Sequence, residues 1–209
     1  MKDVKTLMTL ASYRNGVSTY VERTNQISYF RHLQSLLDRF IGVLPGKRVL
    51  DIGFGSGRDI KYFLSKNLDV EGIELTREFI DILEKQIKAP LYLMDMRKLR
   101  FPSKSFDGIW SCASFLHIPK KHASATLKGF LKVLKPLGIL ALSLKEGEGE
   151  AWVSDENFGR LPRYFSYYKY EEMQGLLEVV GFDIVFEERQ LSNNIKEPNW
   201  INFLCQKVV

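Results

Sequence analysis

A short apolar run that breaks into three alternating glycines constrains this chain more than any other stretch. Val49, Leu50 and Ile52 surround Asp51, and Gly53, Gly55 and Gly57 follow, separated by Phe54 and Ser56. A brief apolar run bounded by turn residues reads as a buried strand. Glycine opens backbone conformations closed to other residues and lets a ligand lie directly against the main chain. A helical pattern begins after Gly57. Its N-terminus offers unpaired N–H groups to an anionic group held by the loop. Strand, glycine loop and helix in this order make a ligand cradle at the end of a strand.

The rest of the chain supplies a sheet around that strand. Leu33, Leu36, Leu37 and Phe40 recur at helical spacing in a helix expected from Ile27 and ended by Pro45-Gly46. Strands are expected at 48–52, 69–75, 91–94, 105–112 and 139–144. The helices between them carry Phe79, Ile80, Leu83 and Ile87, then Leu127, Phe130, Leu131 and Leu134, each set on one face. Lys135–Gly138 reads as a turn. Such alternation predicts parallel strands with helices on both faces. A helix at Tyr170–Val180, stopped by Gly181, precedes strands at 182–189 and 199–207. Two strands in succession make an antiparallel pair. Residues 145–168 hold glycines and acids, then aromatics, and read as an excursion beyond the sheet. Residues 1–26 are mixed and polar, without an apolar repeat.

Length and charge exclude several classes. The 209 residues suffice for one domain with a full core. No apolar run approaches the ~20 residues that span a bilayer, and the N-terminus does not read as a signal peptide. Cys112 and Cys205 lie in strand-like runs and read as small buried hydrophobes. Cytoplasmic location is the default expectation. The formal charge is +5, with basic residues concentrated before the first strand and at Lys120–Lys135. Nucleic-acid binding is one reading of those stretches, and solvated helix faces are the favoured one. No metal constellation is present: there is no Cys-x-x-Cys and no His pair at helical spacing.

The glycine spacing distinguishes two ligands. A dinucleotide fingerprint needs a glycine where Arg58 stands. The pattern Asp51-x-Gly53-x-Gly55-x-Gly57 instead resembles motif I of the class I S-adenosylmethionine (SAM)-dependent methyltransferases. The resemblance implies an α/β fold: a Rossmann-like seven-stranded sheet, mostly parallel with an antiparallel last strand, and helices on both faces. It implies a domain at 43–209, with 145–168 as a substrate-side excursion, and residues 1–42 as an N-terminal helical cap.

The cofactor implied is S-adenosyl-L-methionine, with Gly53 and Gly55 under its methionine moiety. Asp51 then holds the amino-acid portion, caps loop N–H groups, or does both. Glu74 takes the position of the acid that accepts from the ribose hydroxyls, a task suited to a carboxylate. Leu75 packs near the adenine, Asp95 accepts from its amine, and the Met96 main chain meets the ring. Ser111 lines the methionine side. Tyr20 and Arg58, with Tyr13 and Arg23, are candidates for a lid. Arg160, Arg163, Tyr164 and Tyr168 either shape the acceptor pocket or form a hydrophobic cover. His117 is the candidate general base, although transfer to an already nucleophilic atom needs only proximity and in-line orientation.

The function so implied is methyl transfer to a small-molecule acceptor. Two alternatives stand beside it. One is an RNA methyltransferase, although the asparagine-proline-proline-aromatic signature of base-amine enzymes is absent at Ser111–Ser114. The other is a nicotinamide-nucleotide oxidoreductase, which would also use an acid such as Glu74 on a ribose.

Overall fold

Strands and helices alternate along the chain as the apolar pattern predicts, and the strands assemble in one sheet. The computed structural model describes residues 3–25, 31–154, 161–192 and 198–208. Its strands are β1 (Arg48–Ile52), β2 (Asp69–Glu74), β3 (Leu91–Leu93), β4 (Phe106–Cys112), β5 (Leu134–Lys145), β6 (Glu150–Ser154), β7 (Pro162–Ser166), β8 (Phe182–Gln190) and β9 (Trp200–Lys207). Seven of them form a sheet in the order β3-β2-β1-β4-β5-β9-β8. β1 to β5 run parallel, and β9 lies antiparallel between β5 and β8. The helices are α1 (Val4–Asn15), α2 (Val17–Thr24), α3 (Arg31–Val43), α4 (Arg58–Ser65), α5 (Arg77–Leu83), α6 (Lys120–Val133) and α7 (Tyr170–Val180).

Side chains alternate across a strand, so each central strand feeds two cores. Leu50 and Ile52 of β1 pack with Ile109, Leu127, Phe130 and Leu177 under α6 and α7. Val49 faces the other way, with Trp110, Phe40, Phe63 and Phe79 under α3, α4 and α5. Both faces are therefore covered, as a parallel sheet requires. The order of strands reverses between β1 and β4. Ligands of open α/β sheets bind beyond the carboxyl ends of the strands at such a point.

The structure adds to the sequence expectation in two regions and departs from it in a third. The polar N-terminal stretch forms α1 and α2. α1 lacks an apolar repeat because the side it turns inward is polar. Thr9 Oγ1 accepts from the Tyr164 N–H at 3.0 Å, and Ser12 Oγ donates to the Pro162 carbonyl at 2.5 Å. The excursion after β5 carries a hairpin, β6 paired antiparallel with β7, and this hairpin is what α1 rests on. Lys135–Gly138 does not end an element but bulges within β5, whose pairing with β4 skips from Leu134 to Ile139. The helix expected from Ile27 is described from Arg31 onward. Arg160 and the centre of the turn before β9 lie outside the described residues.

Candidate active site

The glycine loop leaves β1 through positive φ angles, 72° at Gly53 and 52° at Gly55. At both positions a side chain would also collide. A Cβ on Gly53 would sit 2.5 Å from the Ser114 Cβ, and one on Gly55 would sit 3.0 Å from Tyr20 Cε1. The loop is thus pressed between the turn after β4 and an aromatic ring from α2.

Above it lies a cavity of about 90 Å³, partly open to solvent. Its floor is the strand ends, with Ile52, Gly53 and Gly55 from β1, Glu74 and Leu75 from β2, and Ala113 and Ser114 after β4. Met94 and Met96 close one side, and Phe79 lies beside Tyr20 with ring centroids 5.2 Å apart. Thr6, Thr9, Leu10 and Tyr13 of α1 form the roof.

Glu74 is already engaged by the backbone. Its Oε1 accepts from the N–H groups of Leu75 (2.7 Å) and Thr76 (3.0 Å), and Oε2 accepts from Gly55 (3.1 Å). Burial raises its pKa against the pull of these three bonds. A carboxylate has about four acceptor sites, so room remains on Oε2 for a further donor.

Asp51 lies beneath the loop, 2 % exposed, and its Oδ2 has no hydrogen-bond partner among the described residues. Burial, and then the nearby Asp59 and Glu74, raise its pKa well above the carboxylate range, with Arg58 opposing. Arg58 forms a fork on Asp59 at 2.6 and 3.0 Å, and the Trp110 indole N–H donates to the same carboxylate at 2.9 Å.

On the far side Tyr13 meets His117, with Oη 2.9 Å from Nε2. His117 Nδ1 lies 2.6 Å from the Tyr164 carbonyl. A carbonyl only accepts, so Nδ1 carries the proton. Burial drives the His117 pKa down to about 3, and the Arg163 and Lys145 charges add to this, while the bond to Tyr164 opposes it. The ring is therefore neutral, and bare Nε2 accepts from the Tyr13 hydroxyl.

Of the residues singled out in the sequence, the fold brings Gly53, Gly55, Glu74, Leu75, Met96, Tyr20, Tyr13 and His117 to the cavity wall. Four others stand behind that wall. Asp51 and Arg58 are under the loop. Ser111 is fully buried and bonded to Ser114, whose hydroxyl donates to the Ile52 carbonyl at 2.6 Å. Asp95 caps the turn Met96–Lys98, with its carboxylate on Arg97. Arg23 is exposed on α2, whereas Arg163 packs beside Tyr13 and Tyr168 is in the core. The sequence reading missed Thr6, Thr9 and Arg97; Thr9 and Arg97 bond to residues distant in the chain. Asp3 was the available signal, an acid that N-caps α1 by accepting from Thr6 N–H at 2.9 Å. Among the described residues there is no cluster able to hold a metal ion, and no helix long and apolar enough to cross a membrane.

Known proteins share this fold. Residues 49–138 match the family model described as "Methyltransferase domain". The 2-methyl-6-phytyl-1,4-hydroquinone methyltransferase of Synechocystis sp. is 33% identical over 105 residues, covering 47% of this chain and 32% of that protein. The 27-O-demethylrifamycin SV methyltransferase of Amycolatopsis mediterranei is 31% identical over 118 residues, covering 51% and 43%. The matches thus span less than half the length of these curated relatives. Among solved structures, a SAM-dependent methyltransferase from Methanosarcina mazei superposes with a TM-score of 0.72 at 23% identity, over 82% of this chain and 97% of that one. The Burkholderia thailandensis 1,6-didemethyltoxoflavin-N1-methyltransferase, solved with 1,6-didemethyltoxoflavin and S-adenosylhomocysteine, gives 0.72 at 18% identity over 100% and 92%. At these identities the likeness is one of fold. Motif, fold and the match over residues 49–138 converge on the class I SAM-dependent methyltransferases.

Proposed function

We propose that this protein transfers the methyl group of SAM to a small-molecule acceptor in the cavity between the glycine loop and the Tyr13–His117 pair. The observation that carries this reading is the cavity's two-sidedness. Backbone-presenting glycines and the Glu74 carboxylate are on one side, and an aromatic hydroxyl held on a neutral imidazole is on the other.

The residues fit the cofactor. Gly53 and Gly55 give the close backbone approach that a Cβ would block, Glu74 keeps an acceptor site for a ribose hydroxyl, and Leu75 and Met96 offer apolar walls for the adenine. Asp51, Arg58 and Ser111 support the methionine end from behind the loop, and Asp95 supports the adenine end. Bound there, SAM supplies an electrophilic methyl group on a sulfonium, which a nucleophile takes in line.

The chain's own part is to hold the acceptor. Tyr13 directs its oxygen toward the cavity side of His117, and the His117 tautomer fixes that hydroxyl as a donor. A histidine with a pKa of about 3 is a poor general base at neutral pH. The pair therefore orients the acceptor, and catalysis rests on proximity. Residues 1–42 act as the cap that closes the roof, since α1 supplies Thr6, Thr9, Leu10 and Tyr13. The relatives named for a hydroquinone and a rifamycin support a small organic acceptor. Two free thiols, Cys112 and Cys205, support a reducing, cytoplasmic setting.

Titration with S-adenosylhomocysteine by calorimetry tests the cofactor half. Incubation with methyl-labelled SAM and a panel of hydroquinones, phenols, amines and glycosides tests the rest. Micromolar binding and label transfer to a panel member are expected. No binding at millimolar S-adenosylhomocysteine overturns the reading.

A further inference from the structure

One ionic chain crosses the roof of the cavity and belongs to neither the glycine loop nor the Tyr13–His117 pair. Arg97, on the turn Met96–Lys98 and itself on the cavity wall, is shared between two carboxylates. Its Nε and Nη2 make a fork on Asp95, with Nη2 at 2.6 Å from Oδ2 and Nε at 3.0 Å from Oδ1. Its Nη1 turns the other way and reaches Asp3 Oδ2 at 2.5 Å. Asp3 in turn caps α1 through the Thr6 N–H and Thr6 hydroxyl. The Arg97 side chain is 14 % exposed and the Asp3 side chain 29 %, so the pair is shielded from solvent more than a surface salt bridge is.

This geometry has a directional consequence. α1 is held along its length by the β6–β7 hairpin, through Thr9, Ser12 and Lys5. Its N-terminal end is tied instead to the segment after β3, on the opposite side of the cavity. The other end of the helix meets α5 through Tyr13 against Phe79 and the Arg14–Glu78 ion pair, so Arg97 is what fastens the N-terminal end on that side. The planar fork of arginine suits such a bridge, since one group satisfies Asp95 in two places and still has a donor for Asp3.

We propose that Arg97 is a positioning residue, which fastens the N-terminal helix over the bound cofactor by joining Asp95 to the Asp3 cap. The inference rests on the cofactor reading given above and extends it to Arg97 and Asp3, two side chains to which that reading gives no role. The bridge keeps Tyr13 seated on His117 and slows escape of S-adenosylhomocysteine. Asp3 is suited to the task at any physiological pH. Burial works against its charge, but the Thr6 N–H and Arg97 outweigh that and hold its pKa down to about 2.

Two variants of the full chain test this. Asp3→Asn keeps the helix cap, because asparagine caps as well as aspartate, and removes the charge that Arg97 needs. Arg97→Gln removes the bridge from the other end. In both, amide hydrogen exchange over residues 4–15 and the dissociation rate of S-adenosylhomocysteine should rise about tenfold, the scale of one charge-assisted hydrogen bond, with exchange in β1 and β4 unchanged. Wild-type exchange in residues 4–15 together with wild-type dissociation would overturn the proposal. So would a lower melting temperature with unchanged dissociation, which makes Arg97 a brace of the fold alone. If the wild-type protein does not bind S-adenosylhomocysteine, the cofactor reading fails, and the exchange measurement alone still decides whether the bridge holds the helix.

Discussion

Tyr13 Oη lies 2.9 Å from His117 Nε2, so a residue of the first helix and one from the turn after β4 share a single proton. The other nitrogen of the same ring is bonded to the Tyr164 carbonyl of the hairpin. Three segments that are far apart in sequence meet at one imidazole. Tyr13→Phe removes the shared hydroxyl and keeps the ring contacts with Tyr20 and Phe79. Label transfer to the best acceptor of the panel should fall ~100-fold, the scale of a misplaced reactant, while S-adenosylhomocysteine affinity stays within about threefold of wild type, since no cofactor-directed group is lost. An unchanged transfer rate rejects Tyr13 as the acceptor's anchor.

His117 also predicts how the fold responds to acid. In the unfolded chain a histidine takes a proton near pH 6.5, but here it does so only near 3. Between these values the unfolded state binds the extra proton and the folded state does not. Stability is therefore fully present above pH 6.5 and declines as pH falls toward 3. The slope is about 1.4 kcal/mol per pH unit, or roughly 2 kcal/mol between pH 6.5 and 5. His117→Asn keeps a donor toward the Tyr164 carbonyl and cannot titrate. Urea unfolding at both pH values should show a loss in wild type that is smaller in the variant by about that amount. Equal losses would show that His117 is not held neutral.

These two residues also mark the boundary of what the sequence discloses. His117 and the strand ends were legible because short apolar runs next to glycines specify buried parallel strands and their carboxyl ends. β1 was expected at the residues where it is found, and Glu74 at the end of β2, because local pattern decides both. α1 was not legible as a helix from its apolar residues. Val4 and Leu7 are 69% and 52% exposed, and the face toward the hairpin is Thr9 and Ser12, bonded to backbone. Polar residues satisfied across 150 positions leave no period to read. Arg97 is hidden for the same reason, since its partner Asp3 is 94 residues away. The hairpin was read only as an excursion because β6 is largely exposed, with Trp152 at 42%.

Glu74 serves the loop as well as any ligand, so its removal should register twice. Glu74→Ala leaves the N–H groups of Gly55, Leu75 and Thr76 without their acceptor. Each charged hydrogen bond contributes about 1.5–3 kcal/mol. S-adenosylhomocysteine affinity should drop more than ~10-fold, and the melting temperature should fall as well. Glu74→Gln retains an acceptor oxygen and should recover part of the stability. Calorimetric titration and a thermal scan on the same samples separate the two effects. Lost stability with unaltered affinity would confine Glu74 to the fold.

The two loop glycines make opposite demands on an added methyl group. Gly53 is backed by Ser114, whose Cβ would lie 2.5 Å from the new carbon, and Ser114 is locked by bonds to Ile52 and Ser111. Nothing there can yield, so Gly53→Ala should cost about 2–3 kcal/mol from clash and positive φ together. A thermal midpoint lower by roughly 5–10 °C is expected for a chain of this size. Gly55 is backed by the edge of Tyr20 at 3.0 Å, a ring on the roof that can swing outward. Gly55→Ala should therefore lose only the strain of its φ, about 1–2 kcal/mol. Its main effect should fall on ligand affinity, since Tyr20 is pushed from its seat against Phe79. Thermal scans with and without saturating S-adenosylhomocysteine compare the pair. The ligand should stabilise Gly53→Ala more than Gly55→Ala, and the reverse order would mean that Tyr20 does not close over the loop.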